Sequence, residues 1–124
     1  MKIVLFIGIG GFIGAILRYF ISLFLQNSIT QSFPIGTLGV NLLGSFLIGF
    51  LALYFEQISS PQYRFMIITG LLGALTTFST FSFETVMLLE KGMVLKALIS
   101  ISLNVILSLS ATFAGMAIFK KYFI

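Results

Sequence analysis

A run of small and hydroxyl-bearing residues lies in the middle of an apolar segment of membrane length. It reads Gly-Ala-Leu-Thr-Thr-Phe-Ser-Thr-Phe over residues 73–81. The hydrocarbon core of a bilayer offers backbone and hydroxyl groups no water, so we do not expect this run to face lipid. It suits membrane depth if it packs against protein or lines a path for a polar solute.

Two other apolar segments carry rows of polar or small residues spaced four apart. The rows are Thr37, Asn41, Ser45 and Gly49, and Ser100, Asn104, Ser108 and Thr112. Residues four apart share a helix face. Hydrogen bonds between helices are the ordinary interpretation of such rows. An Asn amide, however, has two donors and two acceptor lone pairs to satisfy, so each row also fits a wet or polar path.

The donor groups suggest which ion such a path would carry. Hydroxyl and amide groups can donate hydrogen bonds to an anion, and no ring of carboxylates is present to attract cations. Arg18 is the only base well inside an apolar segment, and Glu84 is the only acid. Arg18 could set a positive potential at a vestibule or extend to the membrane interface. Glu84 could accept hydrogen bonds from neighbouring hydroxyls, pair with Arg18 or couple transport to protons, and the sequence leaves these roles open.

Phe78 and Phe81 are three residues apart, on nearly the same helix face and between hydroxyls. Phe in a membrane helix ordinarily contacts lipid or packs in the core. An aromatic ring also has a positive edge, which attracts a dehydrated anion. If the helix is broken here, carbonyl oxygens near Gly73 and Thr76 become free, and such carbonyls can coordinate Na⁺.

Composition places these residues in an integral membrane protein. The chain has 124 residues, of which 59% are hydrophobic and 8% charged, whereas soluble domains carry about 25% charged residues. There is no Cys and no His, which excludes disulfides, thiolate metal sites and the commonest proton shuttle. The net charge of +4 comes from residues at segment ends and forms no clustered basic face for nucleic acid.

Four stretches are long enough to cross a bilayer core, which needs about 20 residues in helical form. They lie at about 3–25, 33–55, 65–89 and 97–119. The first is too long for the apolar region of a signal peptide, so we expect it to be a span. Short connections predict one all-α domain over residues 1–124, an up-and-down bundle with both termini on one side. The polar run predicts a broken third helix.

The positive charges hardly distinguish the two sides of the membrane. Lys2, Arg64, Lys120 and Lys121 are predicted on the side of the termini, and Lys91, Lys96 and Arg18 towards the other. Four against three is a weak bias under the positive-inside rule. It fits a small protein with few charges, and it also fits a chain that inserts in both orientations and pairs with its inverted copy.

Small residues in the first span predict close contact with another helix. Gly10 with Gly14 and Gly11 with Ala15 form two small-xxx-small pairs. Such faces let helix backbones approach each other.

Three motifs, taken together, resemble the Fluc (CrcB) family of fluoride channels. They are GGxxGAxxRY at residues 10–19, GTLxVNxxGSF at 36–46 and GxxGxxTTFSTFSxE at 70–84. The resemblance covers essentially the full chain, with a looser match in the fourth span. It implies an antiparallel, dual-topology homodimer with two fluoride pathways and a structural Na⁺ at the dimer interface. Some members are instead heterodimers of two related chains.

The resemblance also implies roles for individual residues. Those implied for the fluoride pathway are Asn41, Phe78, Phe81, Ser79, Thr80, Ser108 and Thr112. Arg18 would lie near the vestibule, and the backbone carbonyls of Gly73 and Thr76 would bind Na⁺.

The implied activity is passive, selective fluoride export across a bacterial cytoplasmic membrane, which involves no enzymatic step. One alternative is a small proton-coupled drug exporter. That chemistry needs a carboxylate in the substrate chamber, and in that family it lies in the first span, where this chain has Arg18. Another alternative is a non-transporting accessory subunit, in which the polar rows would serve only assembly.

Overall fold

The computed structural model describes residues 1–58 and 60–124. Most of these residues are helical, and no β-strand occurs among them. Four helices are long and apolar enough to cross a membrane, and we refer to them as the first to fourth spans: Lys2–Ser28, Ile35–Glu56, Pro61–Glu90 and Val94–Phe123. The prediction of an all-α protein with four membrane-length helices is therefore confirmed.

Proline and glycine mark the ends of the spans. Pro34 precedes the second span and Pro61 occupies the first turn of the third, where the missing N–H of proline has no helical partner to lose. Gly92 turns the corner between the third and fourth spans with φ of 73°, a left-handed conformation that favours glycine. The linkers at residues 29–34 and 91–93 lie at the same end of the bundle, where residues of both line one cavity.

The first span packs mainly on the N-terminal half of the third, and the second packs mainly on the fourth. Gly10 and Gly14 are both buried in the first of these contacts. A Cβ at Gly10 would overlap the carbonyl oxygen of Met66, so the helix contact predicted there is confirmed. The second predicted pair packs less closely, since Ala15 is exposed and Gly11 only half-buried.

The third span changes conformation along its length. It begins as an α-helix over Pro61–Arg64, widens to a π-helix over Phe65–Leu72 and returns to one α-turn at Gly73–Leu75. Thr76 and Thr77 are extended, with ψ of 158° and 122°. The helix Phe78–Glu90 follows. The extended residues coincide with the polar run, at the middle of the bundle.

Gln26 braces the linker between the first and second spans. Its Nε2 donates to the carbonyls of Thr30 at 2.6 Å and Phe33 at 2.8 Å, and its Oε1 accepts from the Gly36 N–H at 3.2 Å. The second span has Pro34 at its N-cap and no capping bond from that side chain. Gln26 therefore accepts a hydrogen bond from a backbone N–H in the first turn of the second span, where the N-cap residue provides no side-chain acceptor.

We expect Gln26→Leu to lower the free energy of unfolding by about 1–3 kcal/mol, because three backbone groups lose their partner. Thermal unfolding in detergent measures the change. Gln31→Leu is the matched control, since Gln31 is an exposed residue of the same linker. Equal stability of the two variants would contradict the bracing role of Gln26.

Candidate functional site

A central cavity of about 390 Å³ lies where the extended residues of the third span face the second and fourth spans. It brings together six of the predicted site residues: Asn41, Gly73, Thr76, Phe78, Phe81 and Ser108. Three separate spans supply them, so the cavity depends on the packing of the whole bundle. Its lining combines amide and hydroxyl groups with aromatic rings.

Asn41 holds the extended backbone of the third span in place. Its Oδ1 accepts from the Thr77 N–H at 2.8 Å, and its Nδ2 donates to the Thr77 carbonyl at 3.1 Å and to Asn104 Oδ1 at 3.0 Å. Asn104 in turn donates to the carbonyl of Ser100 at 2.9 Å. Both N–H bonds of Asn41 are thus engaged, and the two asparagines predicted to need a network satisfy each other.

This arrangement releases two backbone carbonyls. In a continuous helix the Thr77 N–H would bond to the Gly73 carbonyl and the Thr80 N–H to the Thr76 carbonyl. Instead, Thr77 donates to Asn41, and Thr80 donates to Thr77 Oγ1 at 3.1 Å as in a helix N-cap. The freed Thr76 carbonyl accepts from Arg18 Nη1 at 3.4 Å. The Thr76 carbonyl oxygen therefore lies next to the Arg18 guanidinium in the middle of the bundle.

Phe78 and Phe81 form an edge-on pair, with ring centroids 5.5 Å apart and an angle of 62° between the rings. Phe81 is 8% exposed, whereas Phe78 is 77% exposed. Both rings line the central cavity. Phe81 is thus fixed by this chain alone, and Phe78 projects from it.

Arg18 and Thr80 line a second cavity, of about 330 Å³, together with Thr37 and Glu84. We call it the Arg18 cavity; it shares Thr77 with the central cavity. Thr37 Oγ1 donates to Glu84 Oε1 at 2.8 Å, which matches the acceptor role among those the sequence left open. Glu84 Oε2 is buried and has no hydrogen-bond partner among the residues described.

Two predicted pathway residues, Ser79 and Thr112, lie outside the lining of these cavities. Ser79 is exposed, and its Oγ lies 3.3 Å from Thr77 Oγ1. The Thr112 hydroxyl is within bonding distance of the Ser45 carbonyl, at 3.0 Å, and the Ser108 carbonyl, at 3.1 Å. Its geometry is that of a contact between helices.

Thr77 and Asn104 line the central cavity and were not among the predicted site residues. The sequence held a signal for each. Thr77 is a hydroxyl residue immediately before a helix, the preferred N-cap type. Asn104 precedes Ser108 by one turn in the same polar row.

Comparison with known proteins finds relatives that match nearly the whole chain. The family model described as "CrcB-like protein, Camphor Resistance (CrcB)" matches residues 5–116. A protein named "Fluoride-specific ion channel FluC" from a Nitratiruptor species is 53% identical over 122 residues, which are 98% of this chain and 95% of that protein. Proteins with the same name from a Sulfurovum species and from Shewanella frigidimarina are 53% and 52% identical, over 98% and 93% of this chain and 96% and 94% of their own lengths.

These matches confirm the resemblance indicated by the three motifs. With the four membrane-length helices, they identify a multi-pass bacterial membrane protein. The chain belongs to the CrcB-like family.

Proposed function

We propose that this chain forms a fluoride-selective channel that releases F⁻ passively from the cytoplasm. The observation that carries the proposal is the central cavity, where Asn41, Ser108 and the edge-on Phe pair meet at membrane depth. The relatives named as fluoride-specific ion channels support the same ion. A negative-inside membrane potential favours the exit of an anion.

Selectivity then comes from how the cavity replaces water. Fluoride is small and strongly hydrated, so a narrow path must offer donors close enough to compensate for its hydration shell. The Asn41 Nδ2 N–H that donates to Asn104 can donate to fluoride instead, because the bonds to Thr77 keep the Asn41 side chain in position. The positive ring edges of Phe78 and Phe81 assist.

The proposal includes a third span that works as two half-helices with a Na⁺ site at the break. The carbonyls of Gly73 and Thr76, which lose their helical N–H partners, are hard oxygen ligands of the kind that bind Na⁺ where helices unwind. A bound Na⁺ would supply the positive charge that holds such carbonyls together. One chain offers two of these oxygens, so the remaining ligands come from a second chain.

Pairing with an inverted copy completes the proposal. Phe78 and the Gly73 backbone are exposed in a single chain although they border a polar cavity, and lipid is a poor neighbour for such a surface. A second chain in the opposite orientation would cover this surface. The near-equal division of positive charges between the two ends allows both insertions. A related partner chain could provide the same cover.

The alternative of a proton-coupled exporter is not favoured. The first span contains Arg18 and no acid, and Glu84 of the third span accepts a hydrogen bond from Thr37.

The purified chain, reconstituted alone in liposomes, should release fluoride rapidly and retain chloride. An ion-selective electrode measures each release, and protein-free liposomes are the control. Release of both anions at similar rates would contradict selectivity. A folded dimer that releases neither would contradict a self-sufficient channel and direct the test to co-expression with a related chain.

A further inference from the structure

Positive side chains gather at the end of the bundle opposite the linkers at residues 29–34 and 91–93. They are Lys2, Arg64, Lys120 and Lys121. All four are exposed, and we call them the basic surface. Of the three acids in the chain, only Glu56 lies at this end, where the second span finishes. No step of the proposed channel uses these charges, so the basic surface needs an explanation of its own.

Aromatic contacts hold together the helix ends that carry these charges. The rings of Phe6 and Tyr63 meet edge-on with their centroids 5.8 Å apart, which joins the start of the first span to the start of the third. Phe50 of the second span meets Phe119 edge-on at 5.3 Å, and Phe119 stacks on Phe123 at 5.0 Å. The charges therefore lie on packed helix ends.

The fourth span is long enough to place its last two lysines at the membrane surface. It has 30 residues, or about 45 Å of helix, whereas the hydrocarbon core is about 30 Å thick. Phe119 is fully buried and contacts the second span. Because successive residues of a helix point in different directions, the exposed side chains of Lys120 and Lys121 lie away from that contact. Their ammonium groups can therefore reach lipid headgroups.

Tyrosine is concentrated at the same end of the bundle. Three of the four tyrosines, Tyr54, Tyr63 and Tyr122, lie there and are exposed. Tyrosine is enriched at the level of lipid headgroups, because its ring is apolar and its hydroxyl is polar. The Nζ of Lys121 lies 5.5 Å from the centroid of the Tyr122 ring, so a cation and an aromatic group are adjacent. This composition suits the phosphate layer of a membrane.

We propose that the basic surface binds the headgroups of anionic phospholipids, with Lys120 and Lys121 as the main contacts with the lipid phosphate. Basic residues next to a membrane attract anionic lipids by their charge. A phosphatidylcholine headgroup carries a positive group that offsets its phosphate, so the surface should prefer phosphatidylglycerol. The inference goes beyond the proposed function, because lipid binding does not depend on fluoride conduction.

The test counts the lipids bound to the purified protein by native mass spectrometry, during titration with phosphatidylglycerol or phosphatidylcholine. Lys120→Gln/Lys121→Gln should weaken phosphatidylglycerol binding roughly tenfold, since each basic residue near an anionic surface contributes roughly three- to fivefold. Its phosphatidylcholine binding should not change. Lys120→Arg/Lys121→Arg keeps the charge and should bind both lipids as the wild type does. Glu56→Gln removes the acid at this end and should strengthen phosphatidylglycerol binding.

Lys91→Gln/Lys96→Gln removes the same charge at the other end of the bundle and is the matched control, which should lose less than about twofold. An equal loss in this control would overturn the proposal and assign the effect to net charge. Equal binding of the two lipids by the wild type would also overturn it. So would an unchanged lipid preference in Lys120→Gln/Lys121→Gln with a lower melting temperature, which would assign the lysines to the carbonyls at the end of the helix. Displacement of the lipid by equimolar inorganic phosphate would instead indicate a site for free anions. Fluoride efflux is measured separately, so the proposed function does not depend on any of these outcomes.

Discussion

Replacing Phe78 or Phe81 with isoleucine should reduce fluoride flux by roughly two- to tenfold while the protein still assembles. Isoleucine fills similar space but has no ring edge to present to an anion. An aromatic contact is worth about 0.5–1.5 kcal/mol beyond burial, and about 1.4 kcal/mol corresponds to a factor of ten. The two rings contact each other edge-on, so loss of either one also changes the orientation of the other.

The chain provides matched controls for both substitutions. Phe113 is 76% exposed, close to the 77% of Phe78, and lies in the fourth span. Phe119 is fully buried, and Phe81 is nearly so. Phe113→Ile and Phe119→Ile should conduct at the wild-type rate per folded protein, with assembly followed by gel filtration. Wild-type flux in both Phe78→Ile and Phe81→Ile would reject the aromatic pathway.

The fold could be predicted from the sequence because the bilayer sets the length of each element. Apolar runs of about 20 residues leave a short chain few alternatives to a helical bundle. The Gly10 and Gly14 contact could also be predicted, since closely packed helices need small residues. The π-helical widening at Phe65–Leu72 had no such signal, because its residues are apolar and suit an α-helix equally well.

The sequence predicted which types of residue form the site more fully than it predicted how they are arranged. Asn41 stood out as an amide at membrane depth, and Phe78 and Phe81 by their position between hydroxyl residues; all three line the central cavity. Thr112 follows the same four-residue spacing as Ser108, but threonine in a helix can bond to the carbonyl four residues earlier. Spacing alone does not distinguish that bond from a free hydroxyl.

The extended residues Thr76 and Thr77 show why sequence distance is a poor guide at this site. Ser79 and Thr80 are adjacent, yet Thr80 lines the Arg18 cavity whereas Ser79 does not. Which of them faces inward depends on the extended backbone at Thr76 and Thr77. That backbone is held by Asn41, a residue of another span. A contact between distant residues therefore decides the local geometry.

Asn41→Leu should abolish fluoride flux and lower the free energy of unfolding by about 2–5 kcal/mol. Leucine is close to asparagine in size but makes none of its three hydrogen bonds, so the Thr77 N–H and carbonyl and Asn104 Oδ1 lose their partner. Three bonds between membrane helices at about 0.6 kcal/mol each account for about 2 kcal/mol, and the partner groups left unpaired raise the loss towards about 5 kcal/mol. Flux per folded protein and unfolding in mixed detergent measure the two effects. Asn27→Leu, at an exposed asparagine, should change neither.

Asn104→Leu separates the two parts of the network. It removes the bond between the asparagines and leaves both Asn41 bonds to Thr77, so we expect a smaller loss of stability than in Asn41→Leu. Because the two residues share that bond, the double variant should lose less stability than the sum of the single ones. Additive losses would show that the asparagines act independently. Wild-type flux in Asn41→Leu would exclude Asn41 from the fluoride pathway. Among the hydrogen bonds described, no other side chain bonds to both the N–H and the carbonyl of Thr77, so no other residue could take over its role.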